Sequence, residues 1–216
     1  MKKVSVLLCV VMLLSLLVGC GGGDNLTGTW EANIDVTETI GGGIIDEIAK
    51  SMPELNEYID LSGLTLTIKT TFNEDGSYVS TVTEESFAAM MDTAASKAAE
   101  GLTNYINEIV ADLKLDIDVS TIIGLNDGET VEDRLKAQFN SEDFKKIIEN
   151  NAQSGVYRVK NGKLLTAETE EGFDEAKFET YVLNGDTLEL TGAEGMDEDV
   201  VSIMTKKYPI TYKKIG

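Results

Sequence analysis

Short stretches of this chain alternate apolar and polar residues with a period of two, and the connections that join them alternate between long and tight. Leu26–Val36 places Trp30, Ala32, Ile34 and Val36 against Glu31, Asn33 and Asp35, and Leu64–Phe72 places Leu64, Leu66, Ile68 and Phe72 against threonines and Lys69. Such alternation gives a strand one dry face and one wet face. Ser77–Thr83, Val156–Lys160, Lys163–Glu168, Lys177–Leu183, Thr187–Thr191 and Tyr208–Lys213 follow the same pattern, about eight strands in all. The second, fourth and sixth connections are the turns Asn73-Glu74-Asp75-Gly76, Asn161-Gly162 and Asn184-Gly185-Asp186, which supply the positive φ of a tight reversal. The other connections are long. In an antiparallel up-and-down meander, successive connections fall at opposite ends of the sheet, so every long one lies at one end. The expected fold is therefore mainly β with helical insertions, a barrel capped at one end by helices. A barrel of this size either fills with side chains or holds one small ligand, and the sequence leaves both open.

The long connections carry the helical signals. Ile44–Ile59, interrupted by Pro53, predicts one or two short helices within an insertion at 38–62. A larger insertion at 84–152 holds Phe87, Met90, Met91, Ala94, Ala98, Leu102, Tyr105, Ile106, Ile109 and Leu113 three or four residues apart, the stripe of a long amphipathic helix. Gly101 is its weak point. Asp116–Leu125 reads as a loop or an extended piece. Thr130 and Ser141, each followed by acids, read as N-caps of two further helices. A short helix is expected at Asp197–Met204, and Pro209 predicts that the last strand starts at an edge or bulge.

The N-terminus argues location. Lys2 and Lys3 precede an apolar run from Val4 to Val18, the layout of a secretory signal peptide over residues 1–19. Leu17-Val18-Gly19-Cys20 resembles the lipobox of bacterial lipoproteins, which implies cleavage before Cys20 and acylation of its sulfur. Residues 20–25 then form a lipidated cysteine and a short tether, and 26–216 the barrel domain. Cys9 leaves with the signal, so neither a disulfide nor a free thiol remains. The chain has no histidine, which removes histidine-based triads and histidine metal sites. Two of the 18 basic residues leave with the signal, so 16 face 38 acidic ones, a formal charge of −22. Such a surface repels phosphate backbones, and nucleic acid is not an expected partner.

Leu26-x-Gly28-Thr29-Trp30 resembles the Gly-x-Trp signature of the lipocalin superfamily, and Phe72–Tyr78, Gly155-Val156-Tyr157 and Gly185–Leu190 resemble bacterial lipocalin-like lipoproteins. The resemblance implies a lipocalin-like barrel in which Gly28 and Trp30 close the base as structural residues. The family carries an arginine on the last strand over the tryptophan. This chain offers Lys206, Lys207, Lys213 and Lys214 there.

Candidate chemistry is sparse. Asp112, Asp116, Asp118, Asn126, Asp127 and Glu129 invite a calcium reading, but Asp116-x-Asp118-x-Ser120 lacks the third acid and the glycine of an EF-hand loop. No catalytic residue, metal ligand or cofactor is nominated. Met52, Met90, Met91, Met196 and Met204 all fall in the long connections, where they suit either an adaptable binding surface or the contact between cap and barrel. Phe87, Met90, Met91, Leu102, Tyr105 and Ile106 are the candidate ligand-binding residues. The expectation is a non-enzymatic lipoprotein on the outer face of a membrane, held by lipid on Cys20, binding a small apolar or amphipathic molecule at the capped mouth. The alternative is a surface interaction protein whose acidic cap meets a protein partner.

Overall fold

The computed structural model describes residues 24–139, 152–195 and 208–216. The alternating stretches become eight strands, β1 (Gly28–Asp35), β2 (Thr65–Phe72), β3 (Ser77–Val82), β4 (Gln153–Lys160), β5 (Lys163–Ala167), β6 (Phe178–Asn184), β7 (Thr187–Glu194) and β8 (Ile210–Lys214). Each strand pairs antiparallel with its neighbours in chain order. β8 returns to β1 through Trp30↔Lys214 and Glu31↔Lys213, so the sheet is a closed barrel. Closure leaves no unpaired strand edge. The expectation that Pro209 marks an edge or bulge is thereby corrected, because Pro209 precedes β8 and lies outside the ladder.

The two ends of the barrel differ. The three tight turns lie at one end, together with both ends of the described domain: Thr29 N donates to Gly216 O at 2.9 Å, and Ile215 N to Thr29 O at 2.8 Å. Leu26, buried, accepts the indole N–H of Trp30 at 2.7 Å and closes this base. Lys214 Nζ stands 5.3 Å from the centroid of the Trp30 ring, so a lysine occupies the place over the tryptophan. A Cβ on Gly28 would stand 2.5 Å from Lys214 Cε and 2.6 Å from Gly216 O. The Gly-x-Trp pattern is thus a base in which only glycine fits.

At the other end lie the helices. A π-helical turn (Thr37–Gly41), α1 (Gly42–Ser51) and a 3-10 turn (Pro53–Glu57) fill the first long connection. α2 (Glu84–Leu113), α3 (Val119–Ile123) and α4 (Val131–Phe139) belong to the second. Thr83 caps α2 by accepting from Ser86 N. At 1.5 Å per residue its 30 residues span about 45 Å. Asp116–Leu125 contains the short helix α3 instead of an extended piece, because Asp118 accepts from Thr121 N at 2.7 Å and starts a turn. The helix expected after Ser141 and the one at Asp197–Met204 fall outside the described residues.

α2 leans on the first insertion at Gly101. A Cβ there would come within 2.6 Å of Tyr58 O and 3.0 Å of Ile59 Cα, both backbone atoms. Alanine is the better helix former by about 1 kcal/mol, yet overpacking against backbone costs about 1–3 kcal/mol. Gly101→Ala is accordingly expected to lower the melting temperature by several degrees. A melt showing Gly101→Ala at or above wild type would mean that helix and loop do not touch here.

Candidate functional site

Residues paired directly across antiparallel strands share a face, so the register assigns the barrel interior. Trp30, Ala32 and Ile34 of β1 face inward with Leu66, Ile68, Thr70 and Phe72 of β2. Leu188 and Leu190 of β7 join Tyr212 and Ile210 of β8. All of these are buried. The remaining wall is different. Tyr78 and Val82 of β3, Tyr157 and Val159 of β4, Thr166 of β5 and Glu179 of β6 sit at inward register positions but are only half-buried. Ser80, Leu164 and Tyr181, at inward positions of the same strands, are buried, so the exposure along β3–β6 is partial.

Glu179 is the one acid among the described inward positions. It pairs with Leu164, itself buried in the core, and with Ala193. Tyr208, just before β8, donates its hydroxyl to Glu179 Oε1 at 2.8 Å across β7. Gly192 and Ala193 leave β7 without bulk at that level. Between Thr180 and Tyr181 the register shifts: Thr180 faces Gly192 and Tyr181 faces Leu190, so Thr191 is the extra residue of a bulge. This places both Leu190 and Ala193 inside. Its hydroxyl holds the kink by bonding Thr180 Oγ1 at 2.9 Å.

Electrostatics mark the same spot. Burial pushes the Glu179 carboxyl above the ordinary glutamate range, against the opposing pull of the Tyr208 hydrogen bond. The residue as a whole is half-buried, with its carboxyl the more enclosed part. Burial, and then the nearby Glu179 charge, raises both Tyr208 and Tyr212. Tyr78 is raised by burial, its hydrogen bond to Thr166 opposing. Thr70 and Ser80 hydrogen bond to each other inside at 2.9 Å. Nearer the base, the buried Tyr181 hydroxyl makes no hydrogen bond of ordinary geometry, and burial followed by the Asp24 charge pushes it up to about 12.

The candidates on α2 lie elsewhere. Met90, Met91 and Ile106 are buried, and Met90 and Met91 belong to one apolar cluster with Trp30, Ile68, Leu55 and Leu61. Phe87, Leu102 and Tyr105 are half-buried against that cluster. The Tyr105 ring meets Tyr58 edge-on at 5.2 Å, and Tyr58 donates to Glu108 at 2.6 Å. Phe87, Met90, Met91, Leu102 and Tyr105 thus form the contact of the cap with the barrel and the first insertion, while Ile106 is buried outside that cluster. Met52 is exposed, and Met196 and Met204 lie outside the described residues, as does Cys20.

The cap has two further features. A cleft of about 480 Å³ between α2, α3 and α4 is walled by Glu100, Thr103, Asn104, Ser120, Glu129 and Glu132. Arg134 hydrogen bonds Glu129, with Nε to Oε1 at 2.7 Å, and holds it down to about 2, while Lys136 pairs with Glu132 at 2.9 Å. Two of its carboxylates already have cations. Beyond the cleft, Ile109 and Leu113 at the far end of α2, Leu115 and Ile117 in the connection that follows, and Ile122 in α3 are exposed among Glu108, Asp112, Asp116 and Asp118. Among the described residues no group of acids is arranged to hold a metal ion.

Sequence reasoning missed Glu179, Tyr208 and Tyr212 as a group. A signal was present: Glu179 shares strand parity with Tyr181 and Leu183, which puts a carboxylate on the dry face of β6. Comparison with protein-family models, curated proteins and solved structures found no match.

Proposed function

We propose that the chain is a lipid-anchored extracytoplasmic lipoprotein that binds a small amphipathic molecule inside the helix-capped mouth of its barrel. The observation that carries this reading is the contrast between the two interior walls. One is buried throughout; the other, along β3–β6, mixes the buried Ser80, Leu164 and Tyr181 with half-buried residues, the acid Glu179 among them. A barrel filled only for stability has no need of an enclosed carboxyl, which burial disfavours. The seat of the ligand moves accordingly, from the α2 stripe to the strands beneath it. The protein acts by binding and not by catalysis, a reading supported by the absence of histidine from the chain.

A second reading has its own observation. The exposed apolar residues from the far end of α2 through the connection to α3 are set among acids, the composition of a surface that meets a partner. On that reading the barrel is a scaffold and the cap carries the contact.

Native mass spectrometry on protein isolated from its own host separates the two. The expected result is a small-molecule adduct that survives Leu113→Asp in the cap. A barrel that emerges without any small-molecule adduct, accompanied instead by a protein that Leu113→Asp releases, overturns the first reading in favour of the second.

A further inference from the structure

The apolar stripe of α2 outruns the body it packs on. Its last buried side chain is Ile106, and at the same helical spacing Ile109 and Leu113 carry the stripe on into solvent, 37% and 63% exposed. Lys114 then turns the chain in the left-handed region, and Leu115 N donates to Val110 O at 3.0 Å, which keeps Leu115 beside the last turn. Leu115 and Ile117 are exposed as well. α4 does not cover them, because it runs back along α2 toward the barrel: Thr130–Glu132 share a cleft with Thr103 and Asn104, whereas Lys136 reaches Asp92 at 3.7 Å. Single apolar residues on a surface are ordinary, but a stripe that continues a packed helix face is a surface made for burial.

Charge decides what can bury it. Glu108 and Asp112, one turn apart, form a row next to that of Ile109 and Leu113, and Asp116 and Asp118 alternate with Leu115 and Ile117. Glu108 also accepts from Tyr58, which fixes it at the edge of the stripe. Residues 108–118 hold these four acids and one base, Lys114, a formal charge of 1 − 4 = −3. Asp112 and Asp116 enter none of the described ion pairs. A second copy of the chain would bring the same acids to the contact, and anionic headgroups would be repelled in the same way. A partner with lysines or arginines around its own apolar residues gains from both halves of the surface.

From this we infer that the far end of α2 and the turn after it dock a protein partner through a cationic amphipathic segment. Its apolar side chains lie on Ile109, Leu113, Leu115 and Ile117, and its lysines or arginines meet Glu108, Asp112 and Asp116. The inference deepens the reading of the cap as a contact surface and rests on it; it holds whatever the barrel contains.

The test puts three short peptides on the full chain: one with a leucine stripe flanked by lysines, its counterpart with glutamate for lysine, and oligolysine of equal charge. The wild type is expected to bind the Leu/Lys peptide, less tightly as salt rises, and the other two about tenfold or more weakly. Leu113→Asp separates docking on the stripe from plain attraction between opposite charges. It adds an acid, so attraction alone would grow, whereas docking should lose about tenfold or more, the scale of one buried leucine. Asp112→Asn combined with Asp116→Asn should cost about threefold, as exposed ion pairs do. All three positions are exposed, so the variants are expected to melt with the wild type, and their melts check this. Oligolysine binding as tightly as the Leu/Lys peptide, or Leu113→Asp binding that peptide undiminished, overturns the inference. The glutamate peptide binding best, with loss on Leu113→Asp, overturns the cationic partner and leaves the cap as a contact surface. So does dimerisation, or binding to phosphatidylcholine vesicles, that Leu113→Asp abolishes while the Leu/Lys peptide stays unbound. If nothing is held through Leu113, the inference and the contact surface both fall.

Discussion

Trp30→Ala is expected to destabilise the protein by about 3–5 kcal/mol, the range for deleting a fully buried aromatic side chain. Trp30 is 1% exposed and stands where three structural requirements meet. Its ring fills the base between β1, β2 and β8, at the register positions of Thr70 and Lys214. Its indole N–H donates to Leu26 O at 2.7 Å, which ties the entering chain across the opening. The Lys214 ammonium lies over the ring and so depends on it for position. A typical domain has only about 5–15 kcal/mol to lose, so the alanine variant would fold weakly or not at all. Trp30→Phe separates the contributions. It retains most of the apolar surface, removes the donor and leaves the buried Leu26 carbonyl unpaired, which costs about 1–3 kcal/mol. Urea unfolding of the two variants should thus give a graded series with phenylalanine in between. Phenylalanine matching wild type would mean that the indole hydrogen bond contributes nothing, and alanine matching phenylalanine would mean that ring volume does not hold the base.

The same residues show why the fold was legible from sequence. Period-two alternation and Asn-Gly or Asp-Gly turns are local signals, and barrel closure follows once each strand pairs with the next. β7 shows the limit of that reasoning. Its alternation breaks at Thr191, and because the bulge restores inward facing at Ala193 only through pairing with Glu179, the strand runs on to Glu194 instead of ending at Thr191. Likewise β4 begins at Gln153, ahead of its apolar pattern, because Gln153 and Ser154 pair with Ser80 and Val79. The candidate site was harder to read for a related reason. An apolar stripe such as Phe87 to Leu113 states that a helix has a face to bury, but not what buries it. In α2 the small residues Ala94, Ala98 and Gly101 bring the helix close to the protein body, so Met90 and Met91 become core. The Glu179 cluster depends on residues far apart in sequence and on which parity faces in, and no spacing encodes that.

Cys20→Ser is expected to move most of the protein from the membrane fraction to the soluble one. Each buried CH₂ of an acyl chain contributes about 0.8 kcal/mol; one chain holds a protein only marginally, and two or more hold it stably. Serine cannot carry the thioether-linked chains. Among the described residues no helix is long and apolar enough to cross a membrane, so they contain no helical span that could substitute for the lipid. Membrane retention of the serine variant at the wild-type level would refute the anchor. The geometry adds a second expectation. The chain enters the domain at the hairpin end, where Leu26 seals the base, and residues 20–25 can reach at most about 20 Å. A lipid on Cys20 is therefore expected to turn the hairpin end to the bilayer and the helices away from it. That orientation matches the charge distribution: residues 84–139 hold twelve acidic against four basic side chains, and anionic headgroups would repel them. Cleavage of the membrane-bound protein by an added protease should then fall first in the exposed stretch from Leu113 to Ile122, on the side open to solution. If the tight turns at residues 73–76 and 161–162 are cut first while that stretch is protected, the barrel stands the other way up.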